Sequence, residues 1–222
     1  KMVIEIKNPD NGSLLKKDEL MEFYHNHSNL YDLLFKPFFQ PRQKKAIGYH
    51  DFMPGERILD VGVGTGLSLD LYPSFCEVIG IDLSKSMLRL AERKVEKLGL
   101  TNVTLYEMDA CNLKFDENSF DYVVATHIVN VVHEPARVID EMRRVAKPSG
   151  SLVIVNHFVS SNPIMAKVEN LLEPVFQKVG WRVNHTYEDF IHLTNLSVMH
   201  IDKLNKIDLW KIIHASNNKG HC

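Results

Sequence analysis

Cysteine is scarce in this sequence, and long apolar runs are absent from it. The 222 residues include three cysteines, Cys76, Cys111 and Cys222, which are widely spaced and form no Cys-x-x-Cys pair. Such spacing argues against a disulfide framework and against a cysteine-ligated metal. No apolar run approaches the roughly 20 residues of a membrane-spanning helix, and no signal peptide is evident. We therefore expect a cytoplasmic protein without a metal site.

An excess of charge of either sign is missing as well. Lys and Arg number 26 and Asp and Glu number 28, so the formal net charge is −2 and nothing indicates wholesale binding of nucleic acid. The 11 histidines are scattered and lack the His-Glu-x-x-His spacing of a zinc site. With 45% hydrophobic residues, the chain has enough apolar surface for one α/β domain with a substantial core.

Glycines occupy alternate positions in the stretch around which the chain is organised. A short apolar run typical of a buried strand ends at Val61, and Gly62, Gly64 and Gly66 follow directly. We predict that a helix begins near Leu67. A strand, a glycine-rich turn and a helix form the first unit of a nucleotide-binding α/β sheet, where glycine lets the backbone approach the ligand. A dinucleotide-binding turn would need glycine at position 67, where leucine stands.

An acidic residue ends the next predicted strand. Asp82 lies 20 positions after Gly62, and an acid near this spacing can accept hydrogen bonds from ribose hydroxyls. The alternative role for Asp82 is a helix N-cap, because Ser84 and an amphipathic helix follow. Two later predicted strands end at Asp109 and Thr126. Right-handed crossovers place the ends of these parallel strands along one edge of the sheet, so we expect four segments to converge on one cleft.

Alternating strands and helices predict a mostly parallel sheet with helices on both faces. Strands are expected at 58–61, 78–82, 101–110, 120–126 and 151–156, and helices at 84–98, 135–146, 163–179 and 186–193. Segments 196–201 and 207–215 are expected to close the sheet as an antiparallel pair.

Aromatic and basic residues are concentrated before the sheet. We predict helices at 17–27 and 29–36, the second ended by Pro37, and a further helix at 42–52. Residues 36–45 are basic and include no acid. This mixture suits the surface of an anionic membrane, and the alternative is a helix pair that closes over the cleft. We therefore divide the chain into a helical lid or membrane-contact segment, 1–45, and a main domain, 46–222.

Residues 56–156 resemble the core of class I methyltransferases that use S-adenosylmethionine (SAM). The resemblance is carried by the run from Asp60 to Gly66 and by Asp82. It implies a Rossmann-like fold with a mostly parallel seven-stranded sheet and an antiparallel closing strand, SAM as cofactor, S-adenosylhomocysteine as product, and no metal. The implied contacts are Gly62, Gly64 and Gly66 for the methionine moiety, Asp82 for the ribose, Leu83, Met87, Asp109 and Ala110 for the adenine, and Thr126 and His127 near the sulfonium. For Met87, core packing is the alternative.

A narrower resemblance extends over nearly the whole chain. Tyr24, the run Tyr31–Phe35, the glycine turn and Lys178–Arg182 resemble bacterial phosphatidylethanolamine N-methyltransferases of the Rhodobacter type. The resemblance implies methyl transfer to the amine of a phospholipid headgroup, toward phosphatidylcholine, at the inner face of a membrane. Quinone-pathway C-methyltransferases share much of this pattern, so a quinone or another small hydrophobic substrate stays open. A SAM-binding module without turnover is the third hypothesis, and no feature indicates an oligomeric state.

Five side chains are candidates for the chemistry. The resemblance implies that Tyr24 closes over the cofactor near the transferring methyl, where its ring can hold a cationic amine; a packing role is the alternative. His127 is a candidate proton relay or a structural histidine. Tyr31, His157 and Arg182 are candidate substrate contacts, the last two for a lipid phosphate. The alternatives are a core role for Tyr31 and an exposed salt bridge for Arg182.

Overall fold

The structure, a computed structural model, describes residues 28–129, 131–159, 186–205 and 208–217, with side-chain surroundings from Lys36 onward. The described strands form one seven-stranded sheet. They are β1 (Arg57–Val61), β2 (Glu77–Asp82), β3 (Val103–Glu107), β4 (Phe120–Thr126), β5 (Ala146–His157), β6 (Val198–Asp202) and β7 (Trp210–Ser216). The described α-helices are α1 (Ser28–Ile47), α2 (Lys85–Leu98), α3 (Pro135–Val145) and α4 (Tyr187–Thr194).

The strand order brings the glycine turn and the acid to one edge. The order is β3-β2-β1-β4-β5-β7-β6, in which β1 to β5 are parallel and β7 is antiparallel to both of its neighbours. Val61 pairs with Ile81 on one side and with Ala125 on the other, so β1, β2 and β4 end at the same level. The chain moves outward from β1 in both directions, and ligands of open α/β sheets bind at such a switch point. The predicted sheet is confirmed.

Side chains of the central strands are buried on both faces of the sheet. Val61 faces a core that includes Val138 of α3 and Phe190 of α4. Ile58 faces the opposite core, which includes Leu88 of α2 and the end of α1. Two-sided burial explains why these strands read as continuous apolar runs in the sequence. This packing on both faces also holds the carboxyl ends of the strands in position, and the residues of the site follow these ends.

Helix α1 is longer than predicted. It continues from residue 28 to residue 47 with Pro37 and Pro41 inside it, so the predicted break at Pro37 is wrong. Residues 42–47 of the helix predicted at 42–52 are the last part of α1, and residues 48–52 are not helical. Each proline removes one helical hydrogen bond, but both proline rings are exposed. Phe39 and Ala46 are buried on the other side of α1, and this packing outweighs the local cost. The predicted division at residue 45 falls in the last turn of α1 and remains a prediction.

The helix predicted to begin near Leu67 is reduced to one 3₁₀ turn, Leu69–Leu71. Tyr72 is extended, with φ −80° and ψ 143°, and Pro73 follows it. A residue that precedes proline is biased away from the helical conformation. The chain therefore leaves the glycine turn through a short turn and enters β2 after a loop.

The other described elements agree with the predictions to within a few residues at their ends. Ser84 caps α2 by accepting a hydrogen bond from the Met87 amide, and Thr186 caps α4 by accepting one from the Asp189 amide. The third strand is shorter than predicted, and β5 begins at Ala146, directly after α3. The predicted helices at 17–27 and 163–179 lie outside the described residues. Among the helices that are described, none is long and apolar enough to cross a membrane.

Candidate cofactor and substrate site

The glycine turn forms a cradle that side chains would fill. Gly62, Gly64 and Gly66 have φ values of 74°, 56° and 75°, which residues with a Cβ rarely adopt. A Cβ on Gly62 would lie 2.8 Å from Cδ1 of Ile128, and a Cβ on Gly66 would lie 2.7 Å from Cδ1 of Leu69. At Gly64 the nearest atom would be a backbone oxygen 4.0 Å away. The turn is therefore packed at its two ends and open at Gly64, where a ligand can approach the backbone.

Asp82 ties the end of β2 to this turn. Its Oδ2 accepts a hydrogen bond from the Gly64 amide at 2.9 Å, and its Oδ1 accepts one from the Ser84 amide at 2.8 Å. Burial raises the pKa of Asp82, and the Ser84 and Gly64 amides act in the opposite direction. Because a carboxylate oxygen has two lone pairs, each Asp82 oxygen can accept a further hydrogen bond, as ribose hydroxyls require. The helix cap is Ser84 and not Asp82.

A second carboxylate lies beneath the turn. Asp60 is fully buried, and its Oδ2 accepts hydrogen bonds from the Ser68 hydroxyl at 2.5 Å and from the Tyr72 hydroxyl at 2.8 Å. Burial raises the pKa of Asp60 to about 6, although the two hydroxyls lower it. Asp60 therefore links β1 to the chain that leaves the turn and supports the turn from below.

We expect Asp60→Asn to change how stability depends on pH. The folded-state pKa lies above the unfolded value, so the contribution of Asp60 to stability is complete below about pH 4 and is lost as the pH rises through about 6. A shift of about two units corresponds to about 3 kcal/mol. The unfolding free energy of the variant minus that of wild type, measured in urea, should increase from pH 4 to pH 7. A difference that is constant with pH would contradict the ionisation of Asp60.

The residues predicted for the adenine lie around the ends of β2 and β3. Leu83 is 69% exposed directly after β2, and Met87 is half-buried in the first turn of α2. Asp109 is exposed, and its Oδ1 accepts a hydrogen bond from the Cys111 amide at 2.8 Å. Ala110 is buried in the core beneath. These four residues border one part of the sheet edge, and their contacts with adenine remain a prediction.

The ends of β4 and β5 contribute neutral polar groups. Thr126 is buried, and the next residue, His127, has a φ of 62° and donates its amide to Val155 at 2.7 Å. Burial and the positive charge of Arg42 lower the pKa of His127 to about 3. His157 is buried at the end of β5, and burial lowers its pKa to about 4. Both imidazoles are therefore neutral at neutral pH.

Helix α1 covers this half of the sheet edge through contacts that the sequence did not indicate. Gln43 donates from Nε2 to Oγ1 of Thr126 at 3.2 Å, and the Phe39 ring lies 4.2 Å from the His127 ring. Arg42 is buried and donates to both carboxylate oxygens of Asp208, at 2.6 and 3.1 Å. No local pattern identifies such contacts, because their partners lie far along the chain.

The basic stretch predicted as a membrane contact is thus partly internal. The Arg42 guanidinium also donates to the Phe38 carbonyl and lies 4.2 Å from the centre of the Trp210 ring. Lys45 pairs with Asp202 at 2.8 Å. Arg42 is therefore not a surface cation, because it is buried in an ion pair with Asp208. Lys45 is exposed, and a membrane contact of this stretch remains a prediction.

Three predicted site residues are not described by their side chains. Tyr24 and Arg182 lie outside the described residues, and Tyr31 lies in α1 ahead of the part whose side chains are described. Within the described ranges, no group of three or more His, Cys, Asp and Glu side chains could hold a metal ion.

Known proteins share this architecture and sequence. Residues 59–154 match a family model described as a methyltransferase domain. A phosphatidylethanolamine N-methyltransferase of Cereibacter sphaeroides is 45% identical over 161 residues, which are 72% of this chain and 78% of that protein. A demethylmenaquinone methyltransferase of Staphylococcus saprophyticus is 30% identical over 185 residues, 78% of each chain. The crystal structure of a SAM-dependent methyltransferase from Aquifex aeolicus has a TM-score of 0.60 at 22% identity, covering 85% of this chain and 95% of that one.

The chain belongs to the SAM-dependent methyltransferases with a Rossmann-like fold. Its sequence is more similar to the phosphatidylethanolamine enzyme than to the quinone enzyme, at 45% against 30% identity. The residues also fit the cofactor. The backbone is open at Gly64, and the Asp82 carboxylate next to it can accept hydrogen bonds from a ribose.

Proposed function

We propose that this protein transfers methyl groups from SAM to the amine of a phospholipid headgroup, phosphatidylethanolamine and its methylated forms. The observation that carries the proposal is the 45% identity with a phosphatidylethanolamine N-methyltransferase, which extends over 78% of that protein. The neutral side chains of His127 and His157 at the ends of β4 and β5, with Gln43 beside Thr126, agree with an amine substrate.

In this proposal one half of the sheet edge binds the cofactor and the other half binds the amine. The glycine turn and Asp82 hold SAM, with Leu83, Met87, Asp109 and Ala110 around its adenine. SAM supplies a methyl group on an activated sulfonium, and the C–S bond breaks as the amine nitrogen forms a bond to the methyl carbon. Thr126, His127 and His157 border the amine, and residues Tyr31 and Arg182 are further substrate contacts. Tyr24 closes over the site and excludes water.

The headgroup ammonium must lose a proton before its nitrogen can accept a methyl group. A primary ammonium has a pKa near ~10, as lysine does. Burial and nearby positive charge lower such a pKa, as they do for His127 beside Arg42. Because the pKa of His127 is about 3, its imidazole is neutral at neutral pH, and the ring nitrogen that carries no proton can accept a hydrogen bond.

Incubation with lipid extract and labelled SAM tests the proposal. Label in methylated ethanolamine lipids, together with released S-adenosylhomocysteine, is the expected result. Label in a quinone fraction instead would favour the function of the 30% identical relative. Binding of S-adenosylhomocysteine without turnover on any fraction would indicate a non-catalytic module.

We further propose that the protein docks on anionic membranes through a groove of about 240 Å³ between α1 and α2. Cationic side chains at its rim are Lys36, Arg93, Lys94 and Lys97. Leu98, which also lines the groove, is 48% exposed. Basic and apolar groups together suit the interface of an anionic bilayer. The groove lies beside the glycine turn, since Thr65 also lines it.

Arg93→Gln/Lys97→Gln should weaken binding to anionic vesicles. Each basic residue near such a surface contributes about 1 kcal/mol, so the partition coefficient should fall roughly 10-fold or more, and added salt should reduce wild-type binding. The control Lys114→Gln/Arg137→Gln removes the same charge elsewhere and should bind as wild type does. Vesicle sedimentation measures both. Equal losses in the two variants would show that overall charge, and not the groove, attracts the membrane.

A further inference from the structure

Two buried polar atoms beside the end of β4 have no hydrogen-bond partner in the described part of the chain. They are Oε1 of Gln43 and Nε2 of His127. Gln43 is 5% exposed, and its Nε2 donates to Thr126, which leaves Oε1 as the acceptor without a partner. The His127 ring packs against Phe39, one helical turn before Gln43. Buried acceptors are costly to leave unpaired, so a ligand that donates hydrogen bonds to both would complete this site.

The two atoms belong to the part of the edge where substrate and cofactor must meet. Ile128 follows His127 and packs against Gly62, because a Cβ on Gly62 would lie 2.8 Å from its Cδ1. Residues 126–128 therefore border the glycine turn across the gap between β1 and β4. Helix α1 reaches the same residues through Gln43, which contacts Thr126. A group held by Gln43 and His127 lies next to the cradle for the cofactor.

We infer that Oε1 of Gln43 and Nε2 of His127 accept the two N–H groups of a neutral primary amine of the substrate and so direct its lone pair toward the methyl group. The inference rests on the proposed function. A neutral imidazole protonated on Nδ1 has an acceptor at Nε2, and burial together with the Arg42 charge keeps His127 neutral. The same charge disfavours protonation of an amine held there.

The pair distinguishes the successive substrates of the proposed reaction. A neutral phosphatidylethanolamine amine has two N–H groups, its monomethylated form has one, and its dimethylated form has none. The two acceptors therefore match the first substrate completely, the second in part and the third not at all. Gln43 and His127 accordingly determine preference for the first methylation, and their removal affects the three steps unequally.

Gln43→Met tests whether the three methylation steps are affected unequally, because it keeps the length of the side chain and removes the amide. We expect kcat/KM to fall about 10-fold for phosphatidylethanolamine, less for the monomethylated lipid and less than about 2-fold for the dimethylated lipid. The three lipids are supplied separately in vesicles of otherwise equal composition. The affinity for S-adenosylhomocysteine, measured by calorimetry, should match wild type. Equal losses for all three lipids, or a parallel loss of S-adenosylhomocysteine binding, would overturn the inference and make Gln43 a packing residue.

Two further variants keep the test informative if Gln43→Met fails to fold. His127→Asn removes Nε2 and tolerates the φ of 62°, and the same gradient is expected. Gln43→Glu keeps an acceptor oxygen, to which the Thr126 hydroxyl can donate, and should keep the wild-type order of the three lipids. Unchanged relative rates in His127→Asn would overturn the inference while wild-type turnover upholds the proposed function. A wild-type protein that methylates none of the three lipids would overturn both.

Discussion

Asp82→Ala should bind S-adenosylhomocysteine about 100-fold more weakly than wild type. The carboxylate holds the Gly64 amide at 2.9 Å and the Ser84 amide at 2.8 Å, so its loss releases the glycine turn from the end of β2. Its loss also removes the acceptors proposed for the ribose. Hydrogen bonds to a charged group contribute about 1.5–3 kcal/mol each, and about 3 kcal/mol corresponds to roughly 100-fold in Kd.

Calorimetric titration with S-adenosylhomocysteine measures this effect. Asp82→Asn separates shape from charge, because its amide nitrogen can no longer accept a hydrogen bond from one of the two amides, and intermediate affinity is expected. Asp140→Ala is the matched control, since it removes a carboxylate whose side chain is 72% exposed on α3. A folded Asp82→Ala protein with wild-type affinity would remove Asp82 from the site.

Arg42→Met should destabilise the whole domain by about 3–5 kcal/mol. The Asp208 side chain is 2% exposed and receives both hydrogen bonds of the guanidinium, so the variant buries an unpaired charge. The Trp210 ring also loses the cation above it. For a chain of this size, such a loss lowers the melting temperature by roughly 10 °C. Helix α1 loses its ion pair with the connection between β6 and β7 at the same time.

A second substitution separates the unpaired charge from the loss of packing. Arg42→Met/Asp208→Asn has no unpaired carboxylate and should recover part of the lost stability, so the two changes should not be additive. Lys44→Met, on the exposed side of α1, should melt as wild type does. Thermal unfolding followed by circular dichroism measures all three. If Arg42→Met melts at the wild-type temperature, the ion pair does not hold α1 in place.

The glycine turn and Asp82, which we propose for the cofactor, could be located from the sequence because their signals are local. Gly62, Gly64 and Gly66 all have positive φ. Glycine adopts such a backbone conformation more readily than other residues, so the residue type alone indicates it. Asp82 was predictable from its place at the end of an apolar run, since parallel strands put their carboxyl ends at one edge. The alternative role as helix cap was decided by the structure, in which Ser84 takes that role.

Two predictions that relied on local propensity gave the wrong length for a helix. Pro37 does not end α1, because the buried side of the helix around Phe39 is packed on the sheet and its prolines face solvent. The chain after Gly66 forms only a 3₁₀ turn, although its apolar spacing favours a longer helix. Propensity is a weak guide where tertiary packing or a following proline opposes it.

The half of the site that we propose for the amine was decided by the tertiary structure alone. The sequence determined that β4 ends at Thr126 and His127, but the contact with Gln43 joins residues 83 positions apart, and the Arg42–Asp208 pair joins residues 166 apart. The sequence shows that Arg42 is charged and does not show whether it faces a membrane or a buried acid. That choice depends on how α1 is seated against β4, β5 and the C-terminal strands, which is set by the packing of residues distant in the chain.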